Sequence, residues 1–169
     1  METNKFVTTL VYSHAPKNYR CPFCDIARGI EEPNKLSMAT DIVYHDELVT
    51  AIVASHQYPR NTPNMLIIPN AHYENIFELP PELAADIQRV AQQVAFALKR
   101  AYNCDGISTR QHNEPAGSQD VWHYHLHVTP RFKGDRFYHT IYEKAVMTVE
   151  ARAEPAARVR KYLNGVKSE

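Results

Sequence analysis

Between Asp120 and Arg131 the chain reads Asp-Val-Trp-His-Tyr-His-Leu-His-Val-Thr-Pro-Arg, so His123, His125 and His127 alternate with Tyr124, Leu126 and Val128. Successive side chains on a strand point to opposite faces, and this spacing therefore predicts three imidazoles on one face and an apolar strip on the other. A slip of one residue would bury the imidazoles, which gives such a strand a reason to hold its register. Pro130, lacking an N–H, is predicted to end the ladder. At about 3.3 Å per residue, His123 and His127 lie roughly 13 Å apart with His125 about 6.6 Å from each. One substrate group then meets two neighbours at a time, and the middle histidine is the natural centre of chemistry.

Three readings of this stretch compete. Scattered surface histidines fit poorly, because three of the chain's nine histidines fall within five positions. A metal site is open, imidazole being the commonest metal ligand, although the next acids downstream, Asp135 and Glu143, follow a Pro-Arg break and a charged loop. The third is covalent catalysis: a neutral imidazole attacks phosphorus while its neighbours bind phosphate oxygens. With a reference pKa of about 6.5, histidine is largely neutral at physiological pH, and this chemistry requires no catalytic metal. A second chemical stretch is Cys21-Pro22-Phe23-Cys24. Two thiols at i and i+3 suit half of a tetrahedral metal site, a redox pair or simple packing.

The elements that must position these groups read as α+β. Ile42–His45, Val49–Val53 and Met65–Ile68 are short and rich in β-branched residues, which favours antiparallel pairing. Ile107–Gln111 is the expected antiparallel partner of the histidine strand, joined to it by a loop from His112 to Asp120. Over Pro81–Tyr102, Leu83, Ile87, Val90, Val94 and Leu98 recur at three and four, predicting an amphipathic helix with Pro80-Pro81 and Glu82 at its start. Asn103-Cys104-Asp105-Gly106 closes it, and Cys104 reads as a lone thiol without a chemical role. A short strand is predicted over Val7–Tyr12, and a short helix over Ala153–Leu163. With 169 residues and no Gly/Ser linker or repeat, a single domain is expected. Lys plus Arg and Asp plus Glu both count 19, so no global field draws the chain onto a nucleic-acid polymer or a membrane. Without an apolar run of spanning length or a signal segment, and with three cysteines that make no disulfide framework, it reads as cytoplasmic.

The stretch Asp120–Arg131 resembles the signature of the histidine triad (HIT) superfamily, His-φ-His-φ-His-φ-φ with φ apolar. The resemblance extends to Gln119 and the Asn113-Glu114-Pro115-Ala116-Gly117 loop, to Ile67-Ile68-Pro69 followed by His72, and to Cys21-Pro22-Phe23-Cys24. It implies a HIT-like antiparallel sheet with one long packing helix and a short C-terminal helix, as one domain over 1–169: an arm over 1–20, a core over 21–130 and a C-terminal specificity segment over 131–169. It implies a homodimer that takes a small-molecule nucleotide and acts as a hydrolase or nucleotidyltransferase at the α-phosphate of an AMP-like group. His125 is then the nucleophile, His127 the donor to a phosphate oxygen or the leaving group, and Gln119 a stabiliser of the charge that develops. Substrate contacts fall to Asn113 or Gln111, to His123, and to Asn61 in a Tyr-Pro-x-Asn segment similar to that of the diadenosine tetraphosphate phosphorylase-like branch. In zinc-containing relatives the ligand set carries over to Cys21, Cys24, His72 and His123, a structural zinc. Dinucleoside polyphosphates cleaved by water or by phosphate, nucleoside phosphoramidates, and a nucleotide-binding scaffold without turnover all stay open. The chain departs from the pattern at Pro63-Asn64, where relatives carry Gly-His, and lacks an Asp or Asn for the ribose hydroxyls near Ala54 to His56.

Overall fold

A computed structural model describes residues 12–31 and 36–166. Its elements are helix α1 (Pro22–Ala27), strands β1 (Ile42–His45), β2 (Val49–Val53), β3 (His56–Gln57) and β4 (Met65–Pro69), helix α2 (Pro81–Tyr102), strands β5 (Gly106–Gln111) and β6 (Leu126–Arg131), helix α3 (Phe137–Thr140), strand β7 (Ala145–Val146) and helix α4 (Val149–Val166). Five strands form one antiparallel sheet in the order β1-β2-β4-β6-β5, while β3 and β7 make a separate two-stranded ribbon. The predicted strand Val7–Tyr12 lies outside the described residues except for Tyr12.

Period-two alternation divides the sheet into two apolar faces. Val49, Ala51 and Val53 of β2, Met65 and Ile67 of β4, and Leu126 and Val128 of β6 pack against Ile87, Val90, Val94 and Leu98 of α2 and against Ala156, Val159 and Leu163 of α4. Each Val, Leu, Ile or Met side chain among these taken fully out of water stabilises the fold by about 1.5–3 kcal/mol. On the other face Ile52, Leu66 and Ile68 meet Phe23 and Ile26 of α1. The register pairs Leu66 with His127, so the imidazole looks away from the packing helices.

α2 has the limits that its periodicity predicts. Pro81 opens it, Asn103 leaves in the left-handed region at φ 48°, and the Asn103 amide donates to the Lys99 carbonyl at 3.0 Å. The Lys99 ammonium reaches over the end to the carbonyls of Cys104 and Asp105, where the helix dipole favours a cation. Cys104 is buried. The C-terminal helix is longer than expected, beginning at Val149. There the Thr148 hydroxyl accepts from the Ala151 amide at 3.3 Å, a cap that the search for an apolar period overlooks. Arg152 is fully buried. Its guanidinium takes both Asp41 carboxylate oxygens at 2.8 Å and donates to the carbonyls of Leu36 and Met147, binding α4 to the segment ahead of β1.

The histidine stretch is only partly a strand. β6 begins at Leu126; upstream, the His123 amide donates to Val121 O and the Tyr124 amide to Tyr73 O, so this backbone turns out of the ladder. Pro130 does not end β6. Pairing with β4 stops at Val128, but pairing with β5 continues through Pro130 opposite Ile107 to Arg131 opposite Gly106.

Candidate active site

A cleft of about 430 Å³ opens on the sheet face away from α2 and α4. Phe23, Tyr58 and Leu66 supply apolar wall, and His125, His127 and Asn64 supply polar groups. His125 Nδ1 lies 2.8 Å from the carbonyl oxygen of His123. A carbonyl can only accept, so Nδ1 carries the proton and Nε2 keeps its lone pair. Burial pushes the pKa of His125 down, and the hydrogen bond to His123 and the Asp120 carboxylate oppose that only in part. The ring is therefore held neutral, as a nucleophile needs.

His127 is set by a different partner. Asn64 is buried, and its side-chain nitrogen points at the His56 carbonyl at 3.4 Å and at His127 Nδ1 at 3.3 Å, while its oxygen takes the Thr129 hydroxyl at 2.9 Å. The His56 carbonyl fixes which end of the amide donates. His127 Nδ1 consequently accepts, and its proton sits on Nε2 as a donor. Burial, followed by the nearness of the His125 imidazole, pushes its pKa well below the usual value. The two rings stand 5.1 Å apart at their centroids, one with a free Nε2 lone pair and the other with an Nε2 proton.

The first histidine belongs to another cluster. His123 is buried with Nε2 2.9 Å from the Pro69 carbonyl, which places the proton there and aims the Nδ1 lone pair at Cys21 Sγ (3.3 Å) and Cys24 Sγ (3.5 Å). His72 Nδ1 lies 3.2 Å from Cys24 Sγ, and the four ligand atoms all fall within 4.8 Å of one another. A tetrahedral zinc with Zn–S of about 2.3 Å and Zn–N of about 2.0–2.1 Å sets S···N edges of about 3.5 Å, so the cluster fits that ion. Burial holds His123 neutral, its pKa lowered to about 4, and pushes the Cys21 thiol up to about 12. A cation bound there must displace the thiol protons. The backing carbonyl of Pro69 is the outer partner that an imidazole ligand needs.

The structure thus brings His125 and His127 to the cleft and gathers Cys21, Cys24, His72 and His123 apart from it, but it places the other sequence candidates elsewhere. His123 does not line the cleft, because its ring is committed to the cysteines. Gln119 donates to Glu74 O (2.6 Å) and Val121 O (3.0 Å) and accepts from the Glu114 amide (2.8 Å). Its amide holds the 113–121 loop to Glu74. Gln111 and Asn113 bond each other, and Asn113 Oδ1 also takes the Ile76 amide. Asn61 is buried and donates to Pro130 O and Asp135. Asn64 was missed: it registered in the sequence as a departure from Gly-His, and its one signal was a carboxamide directly before an apolar strand. Asp120 and Lys144 also line the cleft.

The chain matches the HIT domain model over residues 35–134. It is 33% identical to the protein called Protein hit of Bacillus subtilis (strain 168) over 125 residues, 73% of this chain and 79% of that one. It is 30% identical to the Adenylylsulfatase HINT3 of Arabidopsis thaliana over 115 residues, 68% of this chain and 54% of that protein. Among solved structures, a Zn-bound histidine triad family protein from Mycobacterium smegmatis superposes with a TM-score of 0.70 at 28% identity, covering 88% of this chain and 96% of that one.

Proposed function

Because the chain belongs to the histidine triad (HIT) family, we propose that it is a nucleotide hydrolase or nucleotidyltransferase, cleaving at the α-phosphate of an AMP-like group through a covalent intermediate on His125. The observation that carries this reading is the hydrogen bond from His125 Nδ1 to the His123 carbonyl, 2.8 Å long, which leaves the Nε2 lone pair for phosphorus. Nε2 attacks, the bond from phosphorus to the bridging atom breaks, and its electron pair leaves with the departing group. The Nε2 proton of His127 serves a phosphate oxygen or that group. Water or inorganic phosphate then takes the nucleotidyl group from His125 and restores the free imidazole. One difficult displacement becomes two easier ones. The apolar wall of Phe23, Tyr58 and Leu66 suits a nucleobase or ribose face, and the adenylylsulfatase among the relatives supports chemistry at an adenylyl phosphorus. Cys21, Cys24, His72 and His123 would hold a structural zinc, which fastens α1 to the entry of the histidine stretch.

Product analysis of diadenosine tetraphosphate, with and without phosphate, tests the reaction, and His125→Ala is the control. AMP plus ATP regardless of phosphate identifies a hydrolase; ADP plus ATP only with phosphate identifies a phosphorylase. His125→Ala is expected to lose at least about a thousandfold in rate while still binding AMP. Near-normal turnover by that variant, or no turnover of polyphosphate or phosphoramidate by the wild type, refutes the reading.

A further inference from the structure

Lys144 stands outside the family-matched residues 35–134, yet it lines the cleft. Its Nζ lies 3.4 Å from Asp120 Oδ2, and Asp120 Oδ1 lies 3.9 Å from His125 Nε2. One carboxylate therefore separates the attacking nitrogen from an ammonium. The backbone after Lys144 is held in place: β7 pairs with β3 through His56–Val146 and Gln57–Ala145, and the Met147 amide donates to Ser55 O at 2.9 Å. Ser55 and His56 are themselves cleft wall, and the buried Arg152 grips the Met147 carbonyl. The cation is delivered to the cleft by a fixed strand. The other basic residue of the lining, Arg20, bonds Asp25 at 3.0 Å.

We propose that Lys144 is a specificity-determining residue that contacts the phosphates beyond the α-phosphate, so that the cleft selects nucleotides with an anionic polyphosphate chain, and that Asp120 is its counterion at rest. The assignment rests on the reading that an AMP-like α-phosphate sits at His125 Nε2. In-line attack sends the departing group to the side away from that nitrogen. His125 is buried, whereas the side chains of Asp120 and Lys144 are 64% and 46% exposed, so a chain leaving the cleft floor for solvent passes this pair. An exposed ion pair is weak. The phosphates beyond the α-phosphate together carry more charge than one carboxylate and take the ammonium from Asp120, and removal of that clamp frees the carboxylate to turn to water.

The test is calorimetric titration of the full chain with AMP and with ATP, free of divalent cations, on the wild type, Lys144→Gln and Lys144→Arg. The wild type is expected to bind ATP about fivefold more tightly than AMP, the scale of one partly exposed charge pair. Lys144→Gln should lose that preference with AMP affinity unchanged, and Lys144→Arg should keep it. Equal wild-type affinities, an unchanged preference in Lys144→Gln, or a matching fall in AMP affinity overturns the assignment. The readout is binding, so wild type that prefers ATP but turns nothing over would sink the proposed reaction alone. His125-dependent turnover with an unaltered preference in Lys144→Gln would sink the role of Lys144 alone.

Discussion

Replacing Arg152 by leucine asks whether the helix beyond the family-matched segment is part of the site's frame. The guanidinium and its partner carboxylate on Asp41 are each 1% exposed, and they share two hydrogen bonds of 2.8 Å. The substitution leaves Asp41 buried with the Met38 amide (2.9 Å) in place of a cation, and strips a donor from the carbonyls of Leu36 and Met147. A buried charge deprived of its partner destabilises by about 3–5 kcal/mol, and a carbonyl left without its donor by about 1–3 kcal/mol. Leucine returns some apolar burial and water reaches part of the gap, so a net loss of about 4 kcal/mol is expected. For a chain of this size that is a fall in Tm of about 8–16 °C. Urea unfolding and scanning calorimetry measure it. Adding Asp41→Asn to Arg152→Leu removes the orphaned charge and should recover about half the loss. Because Leu36, Ser37 and Lys144 line the cleft, nucleotide affinity should fall at temperatures where the variant is still folded. A loss below about 1 kcal/mol, the level of a surface pair, or a double variant worse than the single one, would refute this reasoning.

Three further outcomes follow from the histidines and cysteines. Metal analysis of purified protein should give about one zinc per chain, and Cys21→Ser should lower both the zinc content and Tm; much less than one zinc together with an unchanged Cys21→Ser stability would remove the clasp. Burial lowers the folded-state pKa of His123 (to about 4), His125 and His127, whereas the unfolded chain takes up those protons near pH 6.5. The unfolded state therefore binds more protons as pH falls below about 6.5, and Tm should drop between there and about pH 4 while staying level from about pH 7 to about 8. In a separate kinetic series kcat/KM should stay flat from about pH 8 down to about 6.5, because the proposed nucleophile remains neutral. An acid limb centred above pH 7 would contradict that assignment.

Where local pattern and tertiary packing agree, the sequence was legible. α2 keeps the period of Ile87, Val90, Val94 and Leu98 between its proline start and Asn103, and β1, β2, β4 and β5 fall where β-branched runs predict. The histidine stretch was legible as chemistry but not as geometry. Alternation alone treats Tyr124 and His125 as ladder residues, and cannot show that Tyr73 draws the Tyr124 amide out of the sheet. Carboxamides were the least legible. Gln119, Asn61 and Asn64 are all buried, and whether each serves a backbone carbonyl or an imidazole depends on partners 45 to 69 residues away. Arg152 was hidden for a related reason: on a helix with low apolar periodicity it reads as a solvated charge, and its partner lies 111 residues upstream.

His123 divides its labour between main chain and side chain. Its ring faces the cysteines, and its carbonyl orients the neighbouring imidazole of His125. The repeated letter in the motif therefore conceals two kinds of heritable constraint. Evolution can exchange the imidazole at 123 for another side chain without erasing the peptide oxygen on which the orientation of His125 depends. It cannot insert or delete a residue between 123 and 125 without losing that oxygen. Spacing in this stretch is thus the stricter inheritance, and residue identity at its first position the looser one.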